Sequence, residues 1–183
     1  MEYFNNDGNI VEFSECDYVR IHLKHLKKNA NEEQKFMLIS NISLKCAQQF
    51  EWYYGNDGYP IAYTNIITKR RYGRKGIKMH RLLLGNECNE EEVIDHINRD
   101  KLDNRLENLR ICSKKQNSYN TSRKEGKYKG VRKNKNGTFT ASITKDGIKN
   151  EIKHITTEKE AALIYDMMAA ELFGIYAGTN FQQ

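Results

Sequence analysis

The sequence predicts an α+β protein: a strand–loop–strand–helix unit in the middle of the chain, then a three-stranded antiparallel sheet with one packed helix. Three observations predict it. Val93-Ile94 lead into Asp95-His96 as the end of a short strand, and Leu109, Ile111 and Cys112 read as a second strand across a polar loop. Ser113 with Gln116 three residues later matches a capping box, which starts a helix at Lys114 and puts Asn117 in its first two turns. Further on, Thr138 to Thr144 alternates, with Phe139, Ala141 and Ile143 on one face and Thr138, Thr140, Ser142 and Thr144 on the other.

Taken in order, the chain opens with a weakly patterned stretch in which Val19, Ile21 and Leu23 alternate with Arg20 and His22, as in a strand. His22 and His25 among Lys24, Lys27 and Lys28 offer phosphate contacts or, the favoured reading, a solvated face. Phe36 to Ile39 is a short strand, and Ser43 to Phe50 a helix. Glu51 to Tyr54 and Tyr59 to Ile67 flank Gly55-Asn56-Asp57-Gly58, the pattern of a hairpin. Its aromatics, Phe50, Trp52, Tyr53, Tyr54, Tyr59 and Tyr63, are expected to form a small core. Lys69 to Arg81 is basic with no acid, and Gly73 and Gly76 mark it as a loop. A solvated charge run is one reading of this stretch. Its place before the central unit favours phosphate contact, through Arg71, Arg74, Lys75 and His80. For His80 a hydrogen-bonded place at the core edge is an equal alternative.

After Asn120 a basic linker, Thr121 to Lys127, leads to the last module. Tyr128 to Lys133 is a strand, Asn134 to Gly137 a turn, Asp146-Gly147 a second turn and Ile148 to His154 a third strand. Thr157 with Glu160 is another capping box. Ala161, Ile164, Tyr165, Met168, Ala169 and Leu172 make one apolar helix face, stopped at Gly174. One helix across the apolar sheet face leaves the polar face open. The expected organisation is residues 1–85 as an N-terminal extension, 86–122 as the central module and 123–183 as the last.

The chain has 183 residues, is 38% hydrophobic and 30% charged, and carries a formal charge of +6, which fits a polyanion partner. Four dispersed cysteines form no Cys-x-x-Cys pair, so no structural zinc is expected. No signal-peptide core and no apolar run of transmembrane length is present. The expectation is a soluble protein of the cytoplasm, with no membrane partner and no small-molecule substrate, and with a monomer favoured.

The central unit gathers a carboxylate, an imidazole and an amide. A hard divalent cation takes oxygen ligands, which Asp95 and the Asn117 amide supply. His96 can stay a free base near neutral pH and take a proton from water. Taken singly, an Asp-His pair is a surface pair and Asn104 and Asn108 are turn residues; together they make one pattern. Asp95-His96, Asn104, Asn108-Leu109-Arg110 and Asn117, with Met79-His80-Arg81-Leu82 upstream, resemble the HNH homing endonucleases and their ββα-metal finger. The resemblance implies that Asp95 and Asn117 bind one Mg²⁺ or Mn²⁺. It also makes His96 the general base and Asn104 the residue that orients it. Asn117 stands where the family often has His.

The last module is similar to the DNA-binding domain of APETALA and ethylene-response-factor proteins. The match rests on Tyr128-Lys129-Gly130-Val131-Arg132, Gly137-Thr138-Phe139, Ala141-Ser142-Ile143, Glu160-Ala161-Ala162, Tyr165-Asp166 and Asn180-Phe181. That resemblance implies that the free sheet face enters the major groove of double-stranded DNA. Lys129, Arg132, Asn134, Asn136, Thr138, Ser142 and Thr144 then occupy contact positions. Arg132 matches the family's Arg and can bond a guanine edge with two donors. Asn, Thr and Ser stand where plant members carry Arg, Trp or charged residues, so the plant target does not transfer. The chain thus reads as a site-directed, metal-dependent DNA endonuclease of the homing or phage type. Its rivals are a sequence-specific DNA-binding regulator with an inactive finger and a structured-RNA nuclease. The major-groove reader argues against the latter.

Overall fold

Alternation of apolar and polar residues builds the first sheet. The computed structural model describes residues 3–6, 9–14, 17–25, 35–63, 76–121 and 127–181. They fall into two compact units, residues 1–112 and 113–183. In the first, β1 (Tyr3–Asn6), β2 (Asn9–Phe13) and β3 (Tyr18–His22) run antiparallel. On β3, Val19 and Ile21 are buried and Tyr18, Arg20 and His22 are half-buried, as the alternation predicts. After β4 (Lys24–His25) the chain returns as β5 (Phe36–Ser40), antiparallel to β3.

Residues expected to form one helix from Ser43 divide into a 3-10 turn, Asn41–Ser43, and a short α1 (Leu44–Ala47). Then β6 (Trp52–Tyr54) and β7 (Pro60–Ala62) form the expected hairpin. Trp52 is buried, and its indole N–H donates to the Ala47 carbonyl at 2.9 Å, satisfying the polar end of a large apolar group. Residues 64–75 lie outside the described residues, and with them Arg71, Arg74 and Lys75.

The loop expected to run through to Arg81 ends earlier. Ile77–Lys78 is strand β8, paired with β7, and Met79–Leu84 is helix α2. Burial explains the difference: Ile77, Met79 and His80 all face inward, so packing overrides the Gly- and Arg-rich approach. Val19, Ile21, Met37, Ile39, Trp52, Ala62 and Met79 belong to one core. Each fully buried Val, Ile or Met side chain in it stabilises by roughly 1.5–3 kcal/mol.

The central unit follows as β9 (Glu92–His96), β10 (Asp103–Asn104) and β11 (Leu109–Ser113). β11 pairs with β9. The intervening loop does more than connect them: β10 adds to the edge of the first sheet, parallel to β5, with Asp103 opposite Leu38 and Asn104 opposite Ile39. Ser113 ends β11 and caps α3 (Lys114–Tyr119), with both halves of the expected capping box present.

In the second unit β12 (Val131–Lys133), β13 (Phe139–Lys145) and β14 (Ile148–Ile155) form an antiparallel sheet in that order. Helix α4 (Glu158–Phe173) packs on its apolar face, capped at Thr157 and stopped at Gly174. Ala141, Ile143, Ile155, Ala161, Tyr165 and Ala169 make the core. Gly130 is required: its φ is +73°, and a Cβ there would lie 1.9 Å from the Tyr165 ring.

Candidate active site

β9 brings Asp95 and His96 inside together, with 7% and 5% of their surfaces exposed. His96 Nε2 lies 3.2 Å from Asn104 Oδ1. Asn104, fully buried, also donates from Nδ2 to the Lys101 carbonyl at 3.2 Å. The amide oxygen only accepts, so Nε2 carries the hydrogen and Nδ1 is the nitrogen with the lone pair. Burial lowers the His96 pKa below its ordinary 6.5, against the opposing pull of Asn104 and nearby carboxylates. Burial thus favours the neutral ring over the charged one.

The loop that carries Asn104 is stiffened by its own side chains. Asn108 Oδ1 accepts from the Asn98 backbone N–H at 3.0 Å. Asn108 Nδ2 donates to Asn98 Oδ1 at 2.9 Å and to the Asp103 carbonyl at 2.7 Å. Asp103 takes a two-pronged Arg105 at 2.8 and 2.7 Å and the Asn98 amide at 2.8 Å. Burial alone would raise the Asp103 carboxyl; the Arg105 bonds and charge outweigh it and hold it below the usual range. Asn98, Asp103 and Arg105 were not singled out by the sequence pattern, although the density of Asn and Asp in this loop is the signal for such side chain–backbone turns.

Asp95 is not a bare carboxylate. Arg110 Nε and Nη2 both donate to its Oδ2, at 2.9 and 2.6 Å, with both side chains largely buried. Arg110 lies on β11, beside β9, and so orients the carboxylate. Among the described residues, no group of three or more His, Cys, Asp or Glu is placed to hold a metal ion. The Asp95 carboxylate is an oxygen donor, which suits a hard cation rather than zinc.

His80, expected at phosphate, is 6% exposed and packs edge-on against His96, ring centres 5.2 Å apart. Its Nδ1 is buried without a hydrogen-bond partner. Burial, with the neighbouring His96, pushes its pKa down to about 3. Tyr59, expected in the aromatic core, instead contacts both histidines, at 5.0 Å from His80 and 5.8 Å from His96. No sequence periodicity marks that contact.

Asn117 belongs to the second unit, half-buried on α3. There α3 is fastened to the C-terminal sheet domain. Tyr119 stacks on Phe173 at 3.9 Å, its carbonyl accepts from Lys129 Nζ at 2.6 Å, and Lys115 pairs with Asp146 at 2.5 Å. Lys129, expected at DNA, thus bonds a helix end. Asn180 secures the same region through the Lys129 backbone and Asp166.

On the open sheet face Arg132 and Thr144 are exposed and Ser142 half-buried. Thr140, expected on the free polar face, is buried: Asn134 folds over it and accepts from its hydroxyl at 3.1 Å. Asn134 also donates to Thr138, whose hydroxyl donates to Asn136, so these three hold the hairpin turn together. Lys149 and Glu151 share the face of Thr144 and Ser142, opposite them in register. Glu151 is clasped by Lys149 at 2.5 Å and Lys153 at 2.7 Å. None of these three β14 residues was selected from the sequence, although strand alternation points to them.

In chain order, a strand with a buried Asp-His pair, a second strand and a capped helix make the succession of a nuclease finger, and comparison with known proteins agrees. Residues 79–119 match the HNH endonuclease family. Over 145 residues the chain is 38% identical to a protein of Acanthamoeba polyphaga mimivirus described as an uncharacterized HNH endonuclease; the match covers 79% of this chain and 74% of the relative. The chain belongs to the HNH endonuclease family. No solved structure matches it. HNH nucleases generally use a divalent metal. Among the described residues no helix is long and apolar enough to cross a membrane.

Proposed function

We propose that this protein is a site-directed, metal-dependent DNA endonuclease of the homing or phage type, with residues 123–183 acting as an ethylene-response-factor-type reader. The observation that carries the catalytic reading is the hydrogen bond between His96 Nε2 and Asn104 Oδ1, which holds a buried neutral imidazole with Nδ1 as its basic nitrogen. His96 takes a proton from the attacking water as the new P–O bond forms, and the sugar oxygen leaves with the electrons of the broken P–O bond. Asp95 and Asn117 would hold one Mg²⁺ or Mn²⁺, whose chemistry is to offset charge on the phosphate and the leaving oxygen. Arg110 already places a positive charge on Asp95 Oδ2. A cation at Asp95 therefore adds to that charge, so the site should bind metal weakly without DNA. The reader domain raises the finger's effective concentration at a chosen site.

The engagement of Asp95 by Arg110 also favours a second reading, a DNA-binding regulator with an inactive finger. Nicking of supercoiled plasmid with Mg²⁺ or Mn²⁺ decides between them. The endonuclease reading expects nicks that vanish in EDTA; intact plasmid in all metals, with DNA binding retained, supports the regulator.

A further inference from the structure

The turn between β6 and β7 carries Tyr59 to the histidines, and two lysines lie over the same ring. Lys78 Nζ is 4.2 Å and Lys101 Nζ 4.6 Å from the Tyr59 ring centre. The two ammonium groups differ. Lys78 donates to Asp57 Oδ2 at 2.6 Å and is ion-paired. Lys101 donates to the Asp57 carbonyl at 2.8 Å, which is a neutral acceptor. Among the described residues no carboxylate lies in ion-pair range of Lys101. The nearest acid in sequence, Asp100, is turned to the Leu102 backbone N–H at 2.9 Å.

Lys101 is exposed, yet ring and carbonyl hold its ammonium in place. An ammonium has three donors, and the carbonyl uses one. The result is an oriented, unneutralised positive charge on the ring that also touches His96. Lys101 is further tied to the site through its own carbonyl, which accepts from Asn104, the residue bonded to His96. A solvated surface lysine would lack these restraints. The anion that a nuclease brings to such a place is a phosphodiester.

We infer that Lys101, set in place by Tyr59, holds a backbone phosphate of the DNA strand being cut, beside His96. This rests on the endonuclease reading, because it takes the partner of the His96 site to be DNA. Tyr59 is then a positioning residue and Lys101 a substrate-binding one.

The test uses the full chain and a short duplex, with binding measured across a salt series in EDTA. Each phosphate contact contributes nearly one unit to the slope of log affinity against log salt. Lys101→Ala should lower that slope by about one unit, and Lys101→Arg should restore it. Tyr59→Ala should behave as Lys101→Ala, and Tyr59→Phe, which keeps the ring, as the unaltered protein. Lys45→Ala, an exposed lysine on α1, should change nothing. Lys101 is exposed, so its replacement leaves the fold intact. An unchanged slope for Lys101→Ala, or an equal fall for Lys45→Ala, overturns the inference. Plasmid nicking with Mg²⁺, run in parallel, separates the two claims. If the unaltered protein fails to nick, the endonuclease reading falls, and the slope still decides the phosphate contact.

Discussion

The hairpin around His96 and the sheet face around Arg132 use polar residues in opposite ways. In the first unit Asp95, His96, Asp103, Asn104 and Asn108 are buried, and each is held by a named partner. In the second unit Arg132, Thr144, Lys149 and Lys153 stand in solvent above a sheet whose other face is apolar. A buried polar group without its partner costs roughly 1–3 kcal/mol, so the hairpin has one arrangement. Exposed side chains remain adjustable. The difference fits a division of labour: chemistry needs a fixed base, whereas recognition needs reach and displaceable water.

Breaking the fixed side should have the larger effects. His96→Ala removes the proposed base and should reduce cleavage on the order of a hundredfold or more, while duplex affinity stays unchanged. Near-normal cutting by the pure variant would remove His96 from the chemistry. Because burial lowers the His96 pKa, the acid limb of the cleavage profile should fall below pH 6.5, the ordinary imidazole value. A limb above that value would contradict the buried, neutral ring.

Asn104→Leu should come next. It leaves His96 Nε2 and the Lys101 carbonyl without their partner inside the fold. Stability should drop by about 1–3 kcal/mol in denaturant unfolding, and cleavage should fall at temperatures where the variant is still folded. Full activity in Asn104→Leu would show that His96 needs no such support.

A smaller effect concerns His80. Its pKa of about 3 lies below the ordinary 6.5, so on acidification the unfolded chain takes up a proton before the folded one does. The stability it contributes is therefore complete above 6.5 and is lost as pH falls from 6.5 towards 3. Between about pH 7 and about pH 5 the loss should be roughly 1–2 kcal/mol. His80→Phe should flatten that slope; an equally steep slope would place the titration elsewhere.

What the sequence made legible was local. Capping boxes at Ser113 and Thr157, the Asp146-Gly147 turn and the alternation from Ala141 to Thr144 each arise from chemistry within a few residues, and each is found in the structure; at Thr140 the alternation breaks, because Asn134 buries it. The Asp-His pair and its Asn partner were legible as a spaced pattern. The missing parts are contacts between distant residues. β10 pairs with β5 across more than sixty positions of chain, Arg110 reaches Asp95 from the neighbouring strand, and Tyr59 meets His96 through a turn with no period of its own. Helix α2 was missed because the basic run before it was carried through to Arg81, although Met79, Arg81 and Leu82 to Leu84 are good helix formers and Met79 and His80 pack inward.

The comparison is tested most directly by mapping cleaved ends on a library of random-sequence duplexes in Mg²⁺, for the unaltered protein and for Arg132→Ala. If the two regions divide the work as proposed, Arg132→Ala cuts at a comparable rate in saturating DNA but loses preference at one base pair, worth roughly 1–3 kcal/mol. Identical site preferences in both proteins, or cutting that survives excess EDTA, would contradict the account.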